Sequence, residues 1–363
     1  MEIGIPKEKY PGEERVGLTP AGVGLLTKAG HKCFFESGAG EGAGFDDYDY
    51  ERMGATLVFD PQELYTRSSL IVKVLRPTRD EIAWMSGGQT LMCFLGLMAV
   101  PEDEVNLLKE HKATVVAYEM ISPGKHDYPI LKTMSEVAGR MAPYIAGNML
   151  MRTHGGRGVL LNGVPGVSAG EVVILGGGML GINAARAFLG LGVKVFILSR
   201  SLNRLRYLDE YFQGRITTMI DHDFNVAYTT RFADVVIGAI RDPGKRTPVL
   251  ITREMLRTMR KGSLIIDFAI DHGGCAETSR PTTLDNPVYV EEDVLHYCVP
   301  NVPGAVPRTS THAFNNAAWA YIKKVTDMGP ATAFAQSEAL QKGVVLRNGE
   351  IVEENIPTGY TIS

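Results

Sequence analysis

Glu171-VVILGGGMLGINAARAF-Leu189 decides the fold. Residues 171–175, apolar and β-branched, run straight into Gly176-x-Gly178-x-x-Gly181, and a helical pattern over 180–191 follows at once. The stretch therefore reads as a strand, a tight turn and a helix. Gly176 permits the turn, Gly178 lets a pyrophosphate approach the backbone, and Gly181 lets the helix pack on the strand. The helix N-terminus, with Met179 and Leu180 beside it, faces the phosphates. A glycine pattern alone is weak evidence. Here a second strand, 194–198, completes the βαβ unit, and that context makes the turn a dinucleotide-binding one.

Where that second strand ends, an Asp or Glu would hold the ribose 2′-hydroxyl of NAD. The chain instead reads Ser199-Arg200-Ser201, with Arg204 one helical turn beyond. A carboxylate would repel a 2′-phosphate, whereas a hydroxyl and a guanidinium accept it through charge-assisted bonds. The sequence thus points to NADPH/NADP, with NADH/NAD the less favoured pair. The alternative is that Arg200 is a solvated loop arginine.

Working outward, short β-rich runs alternate with helical patterns along the chain. Residues 2–6, 33–36, 56–59, 70–75, 90–95 and 114–118 read as strands. Thr19-Pro20 starts a helix, with Thr19 as N-cap and Gly30 as the stop. A further helix spans 102–110, and a long uninterrupted one is expected over 135–151. Strands at 234–240 and 263–268 continue the second series, and 309–325 is a last long helix that returns to the first domain. The expected fold is α/β, with two Rossmann-like domains built on doubly wound parallel sheets. The substrate domain takes 1–131 and 306–363, and the nucleotide-binding domain takes 132–305. The tail, 348–363, is polar and weakly patterned.

Composition sets the outer bounds. A chain of 363 residues suits two domains, and 45% hydrophobic with 21% charged residues suits a water-soluble globular protein. A net charge of −4 favours neither nucleic acid nor membrane partners. No apolar run spans a membrane and no secretory leader opens the chain, so the cytoplasm is the expected location. The four cysteines have no metal-type spacing and read as free thiols, so no metal site is expected.

Several long segments then carry a resemblance: IGIPKE, RVGLTPAGV, ESGAGEGAGF, MSEVAGRMA, GGRGVLLNGVPGV, RLRYLD, ADVVIGAI, IDFAIDHGGCAETSRPTT and YCVPNVPGAVPRTST. Together with the glycine turn, they resemble the alanine dehydrogenases, a family sharing ancestry with the first domain of nicotinamide nucleotide transhydrogenase. The resemblance covers nearly the whole chain. It implies two domains per subunit with a cleft between them, a homohexamer, and a small amino-, imino- or keto-acid substrate. It also implies that Arg15 holds the substrate carboxylate and that Asp271 is the family's acidic residue, with His272 replacing the usual glutamine. Ser135 matches a cofactor-contacting serine, Asn301 matches a segment lining the cleft, and Ala239 and Ile240 lie in the GAI segment beside the cofactor. Arg241 stands where the family shows an apolar residue.

Two positions depart from the family pattern. The family places a lysine two residues after Lys73, where this chain has Leu75, and its essential histidine falls at Gly96. Neither Leu75 nor Gly96 can move a proton, and losing a general acid costs about 10²–10⁴ in rate. The expectation is therefore an NADPH-dependent reductase of a C=N or C=O bond in an imino- or keto-acid-like substrate other than pyruvate. Arg15 would hold the carboxylate, and Asp271, with His272 the weaker candidate, would relay a proton. Two alternatives stay open. One is an alanine dehydrogenase with a site rebuilt from neighbours such as Lys73 or Arg76. The other is a non-catalytic NADP(H)-binding regulatory relative.

Overall fold

The computed structural model describes residues 1–125, 127–241 and 246–356. Fifteen strands lie among them: β1 Glu2–Ile5, β2 Lys32–Glu36, β3 Thr56–Val58, β4 Leu70–Leu75, β5 Thr90–Phe94, β6 Thr114–Ala117, β7 Glu171–Leu175, β8 Lys194–Leu198, β9 Thr217–Met219, β10 Val235–Gly238, β11 Leu264–Asp267, β12 Val288–Glu291, β13 Val294–Tyr297, β14 Val344–Arg347 and β15 Glu350–Ile351. The chain divides into two compact units, Met1–Met134 with Pro303–Ser363, and Ser135–Val302. No helix among the described residues is long and apolar enough to cross a membrane.

Each unit holds one sheet with helices packed on it, and the α/β class follows. In the second unit the order is β12-β13-β11-β10-β7-β8-β9, parallel except for β12. The apolar runs explain why this sheet is covered on both faces. Val172 and Ile174 of β7 pack into one cluster, while Val173 and Leu175 pack into another on the opposite face. Burying one such side chain contributes about 1.5–3 kcal/mol, so a four-residue apolar run anchors the strand centrally. β10 and β8 flank β7, so the chain reverses direction across the sheet there, and the carboxyl ends of these strands form a switch point.

In the first unit the order is β15-β14-β6-β5-β4-β1-β2-β3. β1 lies between β2 and β4, which makes a second switch point. Thr19 caps the helix Pro20–Lys28 by accepting from the Gly22 N–H, and Gly30 follows with φ +89°.

The sheets are mixed rather than wholly parallel. β14 runs antiparallel to β6, and β15 antiparallel to β14. Asn348 (φ 51°) and Gly349 (φ 83°) form the turn between them. Asn-Gly is a strong hairpin signal, and it lies in the tail read as weakly patterned. Residues 357–363 of that tail fall outside the described residues. The long helix also differs from expectation. It spans Pro129–Met149, beginning on a proline at its first position and running through Pro143. Proline removes one rung of the helical ladder, and the helix continues past it with neighbouring turns intact.

Candidate active site and nucleotide-binding turn

The glycine turn has the shape its spacing implies. Gly176 has φ +111°, and a Cβ there would lie 2.5 Å from the Ala239 carbonyl oxygen and 3.1 Å from the Ile240 nitrogen. The end of β7 thus lies against the end of β10, which brings Gly176, Ala239 and Ile240 together. A Cβ on Gly181 would collide with the Gly176 carbonyl oxygen, so the following helix touches the turn directly. Gly178 is exposed, has nothing within 4 Å of a Cβ, and begins the helix Met179–Gly190 with no side-chain cap. Open space over an uncapped helix start fits a pyrophosphate. Gly181→Ala should therefore weaken dinucleotide binding by about 5- to 150-fold, since overpacking costs about 1–3 kcal/mol. Fluorescence titration with NADPH measures this, and unchanged affinity would contradict the packing argument.

Ser199 follows β8 on the same edge of the sheet. Its N–H donates to the Met219 carbonyl at 3.1 Å, and its carbonyl accepts from the Asp221 N–H at 3.4 Å. Arg200 is exposed beside Asp221. Partial burial raises the Asp221 carboxyl, and the Arg200 charge opposes that rise. Sequence reasoning passed over Asp221, because it belongs to the neighbouring strand end. Arg204 reaches back to the turn, where its Nε donates to the Gly177 carbonyl at 2.6 Å. Its guanidinium lies 4.8 Å from the centre of the Tyr207 ring.

Asp271 and His272 form a short turn after β11, on the sheet edge that also carries Gly176 and Ala239. Asp271 keeps an exposed surface, yet the protein mass around it raises its carboxyl to about 6, with Arg241 pulling the other way. Because the group still meets water, this rise reflects a poorly polarisable surround and not full removal from solvent. Burial and then Arg241 lower the His272 imidazole to about 4, so it is neutral at pH 7. Its Nδ1 is buried without a hydrogen-bond partner among the described residues. Asp267, in contrast, is buried and fully used, accepting from the Ala269 and Cys275 N–H groups and the Ser279 hydroxyl. Ser135 is half-buried in the long helix, and Asn301 sits in the left-handed region with φ 53°.

The first unit holds the remaining candidates. Arg15 is 2% exposed, and both its Nε and Nη2 donate to the two oxygens of Glu13. It lines a pocket of about 340 Å³ together with Glu8, Glu13, Lys7 and Gly38. Lys73, expected as a catalytic candidate, is fully buried between Glu81 (2.9 Å) and Glu8 (3.3 Å). Burial lowers its ammonium, but the two carboxylates outweigh that and hold it above the ordinary lysine range. A cation so held keeps its proton at neutral pH and is shared by the two glutamates. Leu75 ends β4, and beside it the Arg76 Nε donates to Glu104 at 2.9 Å. Gly96 has φ +71°, and a Cβ there would lie 3.3 Å from Arg76 Nη1. The Gly96 N–H donates to the buried Glu119 at 2.7 Å. Sequence reasoning missed Glu8, Glu13 and Glu81. The Glu13-x-Arg15 spacing and the Thr78-x-x-Glu81 capping box were the available signals.

Family models match both parts of the chain: the alanine dehydrogenase/PNT N-terminal domain over residues 4–138 and the C-terminal domain over 142–354. The alanine dehydrogenase of Halomonas elongata is 44% identical over 360 residues, covering 99% of this chain and 97% of that protein. That of Bacillus subtilis is 43% identical, covering 98% and 94%. Among solved structures, an L-alanine dehydrogenase superimposes with a TM-score of 0.93 at 41% identity, covering 97% of each chain. A transhydrogenase from Sinorhizobium meliloti shares the fold, with a TM-score of 0.82 at 22% identity over 97% of this chain and 99% of its own.

These relatives overturn the expectation of a substrate other than pyruvate. That expectation took Leu75 and Gly96 to leave no polar group where the family has a lysine and a histidine. The Arg76 guanidinium instead lies against Gly96, so a neighbouring polar group occupies the space. The chain belongs to the alanine dehydrogenase/PNT family and is a nicotinamide nucleotide-dependent oxidoreductase of the amino-acid dehydrogenase kind.

Proposed function

We propose that this chain is an alanine dehydrogenase, interconverting L-alanine with pyruvate and ammonia, and that it prefers NADP(H). The observation carrying the reaction is identity of 40–44% to alanine dehydrogenases over essentially the full length. The cofactor preference is supported by Ser199 and Arg200 at the end of β8, where no carboxylate follows the strand directly. Gly176, Gly178, Met179, Leu180 and Gly181 would hold the pyrophosphate, with Ala239 and Ile240 beside it. Ser199, Arg200 and Arg204 would hold the adenosine end, while Ser135 and Asn301 contribute along its length. A nicotinamide held there would supply the hydride chemistry at the substrate Cα.

The other roles belong to side chains. Arg15 orients the substrate carboxylate, and the Glu13 fork keeps the guanidinium plane fixed. Asp271 takes and returns the proton, since a carboxyl near 6 is poised close to a neutral working pH. His272, neutral at that pH, offers a hydrogen bond to substrate or water. Arg76 supplies positive charge beside Gly96. It can polarise an oxygen but cannot transfer a proton, so proton movement falls to Asp271.

The test is an assay of pyruvate with ammonia, using NADPH and NADH in turn. Oxidation of reduced cofactor requiring both co-substrates, with a lower KM for NADPH, is the expected result. No turnover with either cofactor would overturn the reaction, and a lower KM for NADH would overturn the cofactor preference.

A further inference from the structure

Five charged side chains are gathered in the interior of the first unit. Glu8, Glu13, Arg15, Lys73 and Glu81 are 7%, 5%, 2%, 0% and 1% exposed. They form a connected series. Glu13 grips Arg15, and Glu8 faces both Glu13 and Lys73. Lys73 bonds to Glu81, which in turn accepts from the Tyr65 hydroxyl at 2.8 Å. Glu8 and Arg15 also line the same pocket, beyond the carboxyl ends of β1 and β2.

Charge counting sets the problem. Among these five, three carboxylates share two cations in a water-poor interior, and burying an ionised carboxylate with too few partners is costly. The bonding pattern says which of the three takes a proton most readily. Glu81 has three donors: Lys73, the Thr78 N–H and Tyr65. Glu13 has the Arg15 guanidinium and the Arg15 N–H at 3.0 Å. Glu8 has less. Its Oε1 accepts from the Val74 N–H at 2.7 Å, while its Oε2 has only the 3.3 Å contact with Lys73, without hydrogen-bond geometry.

Two other buried carboxylates lie in the same unit: Glu36, paired with Lys9, and Glu119, which accepts from the Leu95 and Gly96 N–H groups. Tyr65, Cys93 and Tyr118 are all pushed up by burial and stay neutral. Lys7 lines the pocket next to it, half exposed to water. Burial, opposed by Lys73 and aided by Glu13 and Glu81, brings the Glu8 carboxyl up to about 7.

We propose that binding of the substrate carboxylate at Arg15 is coupled to uptake of a proton by Glu8, so that Glu8 sets the pH range over which substrate binds. The inference rests on the reading of Arg15 as the carboxylate holder. Where Glu8 is ionised, an anion arriving at Arg15 adds negative charge beside three buried carboxylates, and protonation of Glu8 relieves it. The sign follows from linkage. Below about pH 6 Glu8 is already protonated and contributes no pH dependence to pyruvate binding. Above about pH 7 each bound pyruvate must bring a proton with it, and affinity falls by up to about tenfold per pH unit. Glu8 acts as a positioning residue, through charge and not through contact with the reacting atoms.

The experiment is calorimetric titration of pyruvate into enzyme saturated with oxidised NADP, without ammonia, so that no turnover occurs. Done at about pH 8 in two buffers of different ionisation enthalpy, it counts protons directly. The wild type is expected to take up a substantial fraction of one proton. Glu8→Gln, which mimics the protonated acid, is expected to take up almost none at that pH, with an affinity that no longer falls above about pH 7. Pyruvate binding to wild type without proton exchange would overturn the proposal even if the variant failed to fold, and so would undiminished uptake in Glu8→Gln. Arg15→Ala separates the two readings. If it binds pyruvate as tightly as wild type, the carboxylate assignment fails and the coupling with it. If it loses pyruvate while wild type shows no proton uptake, only the coupling fails.

Discussion

Asp271→Asn is expected to lower kcat for alanine oxidation by about 10²–10⁴-fold, the range for loss of a general acid–base group. Asparagine keeps the shape of the side chain but cannot take a proton. The position is exposed at a turn, so the variant should stay folded, and NADPH affinity should change little. The pH profile gives a second reading. In the oxidative direction the base must be ionised, so kcat/KM should rise with pH through about 6 in the wild type, following the raised carboxyl. That limb should be absent in Asp271→Asn. Retention of most of the activity, or an unchanged acidic limb, would remove Asp271 from the mechanism and leave His272 as the group to test.

The second large effect concerns the cofactor. Combining Ser199→Asp with Arg200→Ala should lower the ratio of kcat/KM for NADPH to that for NADH by about 10²-fold or more. A hydrogen bond to a charged group contributes about 1.5–3 kcal/mol, and here a guanidinium is removed and a repelling carboxylate introduced. Steady-state kinetics with both cofactors read the ratio. If it does not move, Arg200 is a solvated arginine, and the neighbouring Asp221 becomes the group that meets the ribose. The position of Asp221 makes this a sharp test. It lies close enough for its N–H to reach the Ser199 carbonyl, and its carboxylate faces the Arg200 charge.

The parts of the fold that were legible in the sequence are those written in local patterns. β4, β7 and β8 lie where apolar runs predicted them. The Thr19-Pro20 start is a matter of three or four residues, and so is the glycine turn. The parts that escaped notice depend on partners far along the chain or on unusual turn residues. The β12–β13 hairpin turns on Glu292 (φ 49°) and Asp293 (φ 62°), a left-handed pair with neither the Asn nor the Gly that announces such turns. β14 pairs with β6, more than two hundred residues earlier, so its strand character comes from an available edge. Asn348-Gly349 is the contrary case, a readable hairpin signal that was overlooked.

The same division runs through the candidate site. Read alone, Leu75 and Gly96 look like a loss of chemistry, because a one-dimensional pattern shows what is missing and not what moves in. Arg76 against Gly96 is a fact of three dimensions. So is the fate of Lys73, a plausible acid–base group by type that two buried glutamates hold as a fixed cation. By itself, the sequence determined the α/β class and the glycine-rich turn that receives a dinucleotide, because strand period, helix caps and glycine φ angles are set by residues close along the chain. Only the tertiary structure decided which charges share the interior with Arg15 and Lys73 and which group stands beside Gly96. Burial and electrostatic pairing depend on neighbours brought together by the packing of the sheets, and no local pattern encodes them.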